Sequence, residues 1–162
     1  MNGFIGYENV NSVSMADSLT PAERSWNMRQ IRSKDTKPEM LVRRYLHAQG
    51  FRYRVHDKRL PGTPDIVLPR FKTVVEVQGC FWHRHGQGCG IRAKVPKSNL
   101  SYWEPKLERN IQRDRQKHAA LREAGWQVIV IWECELRISS RGAALHRLSA
   151  DVLDNEGMLW AA

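Results

Sequence analysis

Pro64-Asp65-Ile66-Val67-Leu68-Pro69-Arg70-Phe71-Lys72-Thr73-Val74-Val75-Glu76-Val77-Gln78 reads as two short strands, residues 65–68 and 73–78, joined by a link at 69–72. Asp65 opens the first strand, and Glu76 stands near the end of the second after ten intervening residues. Pairing the two strands lets both carboxylates converge on one point. Alternation places Glu76 and Gln78 on one face and turns the Val77 side chain away, while the Val77 carbonyl can still face the same site. Hard oxygen ligands of this kind suit Mg²⁺, which keeps several waters and completes its shell with substrate phosphate. Such an ion activates water and neutralises charge on a phosphodiester. The competing reading has Asp65 capping a strand and Glu76 on a solvated face. Against it, Glu76 interrupts an apolar run, where burial without a partner would be costly.

Around this pair the pattern alternates between helix and strand. Thr36 caps an expected helix over residues 36–50, with Pro38 and Glu39 in its first turn, Leu41, Tyr45 and Leu46 on one stripe, and Gly50 as its stop. Residues 51–55 alternate as a strand, and KRLPGTP is a turn. Ser101 and Glu104 have capping-box spacing and introduce a helix to about residue 124, ended by Gly125. The β-branched run at 127–132 predicts a central buried strand, and a last helix is expected over 143–155. The order predicts an α/β fold, a mixed β-sheet flanked by helices. Residues 1–20 read as a flexible N-terminal leader and 21–162 as a single domain. Residues 21–32 have helical spacing at Trp26, Met28 and Ile31 but too few apolar positions for a helix that stands alone.

Between the strands at 73–78 and 127–132, GCFWHRHGQGC packs Cys80, His83, His85 and Cys89 into a short run, and Cys134 follows the later strand. Zinc takes four N or S ligands in a tetrahedron, and Cys80, His85, Cys89 and Cys134 supply them as a closed structural site. The alternative leaves Cys134 a buried thiol and the histidines on the surface. His83 is then free and close to the acidic pair, a candidate general base because a neutral imidazole accepts a proton near pH 7. Spacing alone also allows His83 to replace His85 as the zinc ligand.

Lysine and arginine outnumber aspartate and glutamate 26 to 17, a net charge of +9 spread along the chain. This balance points to a polyanionic partner such as nucleic acid. No apolar run reaches membrane-spanning length and no secretion signal is evident, so a cytoplasmic protein is expected. Three cysteines argue against a disulfide framework in a reducing compartment.

The Pro64-Asp65 and Glu76-Val77-Gln78 pattern resembles the PD-(D/E)xK nuclease signature, with Gln78 where that fold usually carries lysine. Five ordered segments make the resemblance narrower: NMRQIRSKDTKPE at 27–39, LPGTPDIV at 60–67, GCFWHRH at 79–85, YWEPKLERNIQRD at 102–114 and GWQVIVIWEC at 125–134. Together they resemble the very-short-patch repair endonucleases, which nick DNA beside a thymine mispaired with guanine after deamination of 5-methylcytosine. The resemblance implies a restriction-endonuclease-like core, bacterial and nucleoid-associated, with Asp65 and the Val77 carbonyl as magnesium ligands, His83 as base and Glu39 as acidic helper. It implies Cys80, His85, Cys89 and Cys134 as zinc ligands. Phe81, Trp82 and Trp103 would enter the base stack, Met28 and Ile31 would approach from the other groove, and Lys106 and Asn110 would lie near the mispair. The competing reading buries these aromatics in the core, although adjacent Phe81 and Trp82 do not easily both point inward. Glu76 departs from the repair enzymes, whose corresponding position often lacks an acid. It adds a candidate ligand and, with Gln78, motivates an alternative, a restriction-like enzyme cutting paired DNA; basic charge and a zinc loop also describe a second alternative, a noncatalytic zinc-containing DNA-binding module. A monomer is expected for a single-strand nick, with repair-pathway proteins as further partners.

Overall fold

Strand β3, Thr73–Gln78, is the axis on which the molecule is built. It pairs antiparallel with β2, Ile66–Leu68, and parallel with β4, Gln127–Trp132; β2 pairs antiparallel with β1, Arg54–Val55. The sheet is therefore mixed, in the order β1-β2-β3-β4. The computed structural model describes residues 20–30, 32–86, 89 and 99–160. The expected leader apart from Thr20 lies outside them, as does Ile31.

Alternation along the strands sorts side chains onto two faces. Ile66, Leu68, Val75 and Ile131 join Val42 and Leu46 of helix α2, Lys37–Ala48, and Leu145, Leu148 and Val152 of helix α4, Arg141–Trp160, in one core. Val67 and Val74 point the other way, onto Leu121 of helix α3, Leu100–Glu123, with Val128 beside them. Two helices thus cover one face and α3 the other. Glu76 and Gln78 share the parity of Val74 and so face α3.

The expected mixed sheet with flanking helices is present, and three local expectations are corrected. The β-branched run at 127–132 is the edge strand of the described sheet, and β3 is inner. β4 is apolar because helices pack on both of its faces, which periodicity alone does not separate from a central position. The strand expected at 51–55 is only two residues long, since Phe51 leaves the ladder to meet Phe71 edge-on with centroids 5.2 Å apart. Ser101 does not cap α3; Asn99 does, in a left-handed conformation and without a side-chain bond, and Ser101 lies inside the helix. The last helix starts at Arg141 and continues past 155.

The chain divides into two compact units after Arg32. The first contains helix α1, Pro21–Gln30. Few apolar residues support it, but a reciprocal cap does: Glu23 N donates to Thr20 Oγ1 at 3.3 Å, and Thr20 N donates to Glu23 Oε2 at 2.7 Å. Pro21 begins the helix where no donor is needed. Met28 is half-buried and Trp26 is exposed.

Candidate active site

The acidic centre forms where three elements end together. The turn before β2 carries Gly62 at φ +73° and Thr63 at φ +54°, and this left-handed pair swings the chain back so that Asp65 stands just ahead of the strand. Asp65 Oδ2 accepts a hydrogen bond from the Val77 amide at 2.8 Å, which fixes the carboxylate against β3. Glu39 arrives from the first turn of α2, where Thr36 Oγ1 accepts from Glu39 N at 3.3 Å. Its side chain is buried and pairs with Arg43 at 3.2 Å; His56 Nε2 lies 3.2 Å away but off the hydrogen-bonding direction. Burial, opposed by the Val77 amide and reinforced by Glu39 and Glu76, raises Asp65 to about 6. Asp65 therefore feels both neighbouring acids, with Lys117 as the opposing charge.

Glu76 is 3% exposed, so the solvated-face reading does not hold. Its Oε2 accepts from His118 Nε2 at 2.8 Å, from Lys117 Nζ at 3.2 Å and from Gln78 Nε2 at 3.3 Å. Burial works to raise its pKa, but His118 and Lys117 outweigh burial and hold it below the ordinary carboxylate value. The other oxygen, Oε1, is buried with no hydrogen-bond partner among the described residues. A buried carboxylate oxygen without a donor is costly, and a cation is what such an atom accepts. With Asp65 at hand, the residues fit a divalent ion bound through oxygen.

His83 lies in the turn after β3, its amide donating to Gly79 O at 3.2 Å. Its Nδ1 is in short contact with Asp114 Oδ2 of α3. Burial pushes Asp114 upward, but His83 and Lys117 prevail and keep it below the ordinary aspartate value. Lys117 Nζ reaches Asp114 Oδ1 at 3.0 Å as well as Glu76. Contacts thus run from His83 through Asp114 and Lys117 to Glu76, which stands beside Asp65. The imidazole and the acids belong to one centre. A cleft of about 600 Å³ opens at the His83 end of this chain of contacts, lined by Pro61, Gly62, His83, Asn110, Asp114 and Lys117 among others.

Asp114 closes one of the quoted segments without a role of its own, and Lys117 and His118 lie in none, yet α3 carries a signal for all three. Leu107 and Leu121, the buried anchors of the helix, are spaced so that Asp114 falls midway between them on the same stripe, with Lys117 and His118 one turn later. Charged residues at inward positions of a helix mark a polar interior.

Beside this centre, one ligand atom each from Cys80, His85, Cys89 and Cys134 lies within 4.8 Å of the others. His85 Nδ1 is 3.2 Å from Cys134 Sγ and 3.6 Å from Cys80 Sγ, and its ring stacks on Trp132 at 4.0 Å. His83 is outside this group. Burial and the neighbouring Cys89 and Cys134 thiols push Cys80 up to about 12, so the sulfurs need a cation before they ionise. The donor set fits zinc.

Phe81 and Trp82, although adjacent, both pack on Trp103, with centroids 5.3 and 6.0 Å away. They occupy a turn, so strand alternation does not separate them. All three are half-buried and lie outside both main cores. Lys106 Nζ lies over the Trp82, Tyr102 and Trp103 rings at 5.1 to 5.6 Å. Asn110 Nδ2 donates to Trp82 O at 3.1 Å.

Acids gathered at the end of a strand pair, with cations from a basic helix leaning on them, are suited to chemistry on a phosphodiester, and the chain is a DNA endonuclease. Residues 16–89 match the family DNA mismatch endonuclease Vsr. The chain belongs to that family. It is 52% identical over 140 residues to the type II nicking enzyme V.XorIIP of Xanthomonas oryzae pv. oryzae, covering 86% of this chain and 98% of the relative. It is 50% identical over 123 residues to the type II nicking enzyme V.NmeAIP of Neisseria meningitidis serogroup A, with 76% and 86% covered. Over another 123 residues it is 42% identical to DNA mismatch endonuclease Vsr of Escherichia coli K12, with 76% and 77% covered. Among the described residues no helix is long and apolar enough to cross a membrane.

Proposed function

We propose that this endonuclease nicks one strand of duplex DNA beside the thymine of a T:G mispair, with magnesium as its catalytic ion and zinc as a structural one. The observation that carries the reading is the unpartnered Oε1 of buried Glu76 beside Asp65, within a contact chain that ends on His83. The name of the Escherichia coli relative supports the mismatch.

Asp65 and Glu76 would hold the magnesium ion, with the Val77 carbonyl, which leaves an extended strand on the same edge as the amide that meets Asp65. When bound, such an ion supplies charge to polarise the phosphate and acidify water. His83 does the proton chemistry. Asp114 engages Nδ1, so Nδ1 carries the hydrogen and Nε2 is left as acceptor. Nε2 takes a proton from the attacking water as its oxygen bonds to phosphorus and the P–O bond to the departing strand end breaks. Glu39 assists as an acidic helper from the first turn of α2. Cys80, His85, Cys89 and Cys134 bind zinc and hold the turn that carries His83.

Phe81, Trp82 and Trp103, with Met28 and Ile31, serve as apolar wedges. Unstacking a step costs a few kcal/mol and least where pairing is already weak, so a wobble pair is selected partly by its weakness. Lys106 and Asn110 stand beside that cluster. One assay tests the reading: cleavage of a labelled duplex with a single T:G pair, against its fully paired control, with Mg²⁺. Nicking of the mispaired duplex alone is expected. Equal cutting of both would overturn mismatch specificity, and double-strand breaks in paired DNA would favour the restriction-like alternative raised by Glu76. A protein that binds and never cuts would favour the noncatalytic module.

A further inference from the structure

Lys117 touches both halves of the reaction centre. Its Nζ is 3.0 Å from Asp114 Oδ1, the acid that holds His83, and 3.2 Å from Glu76 Oε2, the acid beside Asp65. Its stem follows a fixed path. A β-carbon built on Gly62 would stand 2.5 Å from Lys117 Cδ and 2.8 Å from its Cβ, and Gly62 has the left-handed φ of +73°. The turn that delivers Asp65 is thus bare of side chain where the lysine crosses it.

Gln78 occupies the strand position from which a cation could have reached this centre, and it is a neutral amide spent on Glu76 at 3.3 Å. An ammonium has three donors. Two of those on Lys117 serve carboxylates, and the residue also lines the open cleft next to His83. We propose that Lys117 is a catalytic residue of this chain: its third N–H meets a non-bridging oxygen of the scissile phosphodiester, while the other two hold Glu76 and Asp114 in register.

This rests on the nuclease reading above and adds to it a charge that belongs to the protein. Negative charge grows on the non-bridging oxygens as water adds to phosphorus, and a cation fixed in advance stabilises it without reorganisation. Lysine suits the place, since its ammonium is a compact charge with rotatable donors. It gives up no proton and makes no bond; the proton of the water still goes to His83 and the electron pair to the departing oxygen.

Three readouts on wild type, Lys117→Met and Lys117→Arg decide the matter. They are anisotropy of a labelled T:G duplex without added divalent cation across a salt series, single-turnover nicking with Mg²⁺, and thermal unfolding. Lys117→Met is expected to unfold near the wild-type temperature and to nick about 100-fold more slowly. Its plot of log affinity against log salt should be shallower by about 0.9, the mark of one lost phosphate contact. Lys117→Arg should restore the slope and only part of the rate, because a guanidinium holds its donors in a rigid planar fork where an ammonium can rotate its own. If Lys117→Met does not fold, Lys117→Gln carries the same expectations. A wild-type salt slope in the neutral variant, whatever its rate, would reduce Lys117 to a clamp and overturn the proposal, as would a wild-type rate. Wild type that cuts neither duplex defeats the nuclease reading itself.

Discussion

The acid centre and the cysteine cluster draw on interleaved parts of the same chain, yet they are built on opposite plans. In the cluster, four soft donors lie within 4.8 Å of one another, and no position is left for a substrate. In the acid centre, hard oxygens are spread over α2, the turn before β2 and β3, one of them has no partner among the described residues, and an open cleft lies alongside at His83, Asp114 and Lys117. A closed site trades metal affinity for folding; an open one keeps ligand positions vacant for chemistry. The contrast separates the two expected metals by role without reference to their identity.

Breaking the closed site should have the largest effect. Cys80→Ser or Cys134→Ser is expected to give insoluble or unfolded protein, since structural zinc contributes roughly 10 kcal/mol or more to folding. A variant that melts with wild type would place the cluster outside the fold's stability. Next comes the cleft. His83→Ala and Asp114→Asn should fold normally and lose about 10²- to 10⁴-fold in nicking rate, the range of a general base. Similar losses in both are expected because Asp114 acts through the imidazole, and full activity in Asp114→Asn would separate the pair.

The third prediction concerns pH. Burial, with Glu39 and Glu76 nearby, raises Asp65 to about 6. A carboxyl raised on folding stabilises the fold while protonated. Its contribution is full below the unfolded value near 3.9 and is lost as pH rises through about 6, a change of about 3 kcal/mol. A cation held by Asp65 replaces the lost proton. Added Mg²⁺ should therefore raise Tm more at pH 7 than at pH 5, and equal shifts at both would remove Asp65 from the ion's shell. The smallest effect is expected at Thr36, whose hydroxyl caps α2 where Glu39 begins. Thr36→Ala should cost about 1 kcal/mol in unfolding experiments, and no change would mean the cap does not position Glu39.

What could be read before the fold was known follows from how local each part is. Three of the four cysteine-cluster residues lie within ten residues of sequence, 80–89, and the thiol and imidazole chemistry names itself. The approach of Asp65 to the end of β3 followed from two adjacent strands and a short link, whereas the bond from the Val77 amide to Asp65 did not. β4 was misplaced because helices on both faces make an edge strand as apolar as an inner one. The harder residues come from α3. Asp114 meets His83 only because a 24-residue helix crosses the sheet between β3 and β4, and Lys117 and His118 reach Glu76 for the same reason. Their phase with Leu107 and Leu121 was visible, but which end of the stripe would face Glu76 depends on the crossover, which no local pattern encodes. Glu39 was singled out by resemblance, its burial resulting from the docking of α2.

The most direct test is nicking by Asp65→Ala on the labelled T:G duplex, run beside wild type with Mg²⁺ and with binding measured on the same duplex. The account predicts a folded protein that binds the duplex at close to wild-type affinity and leaves it uncut. Nicking at the wild-type rate would contradict it, because the acids at the end of β3 would then have no part in the chemistry.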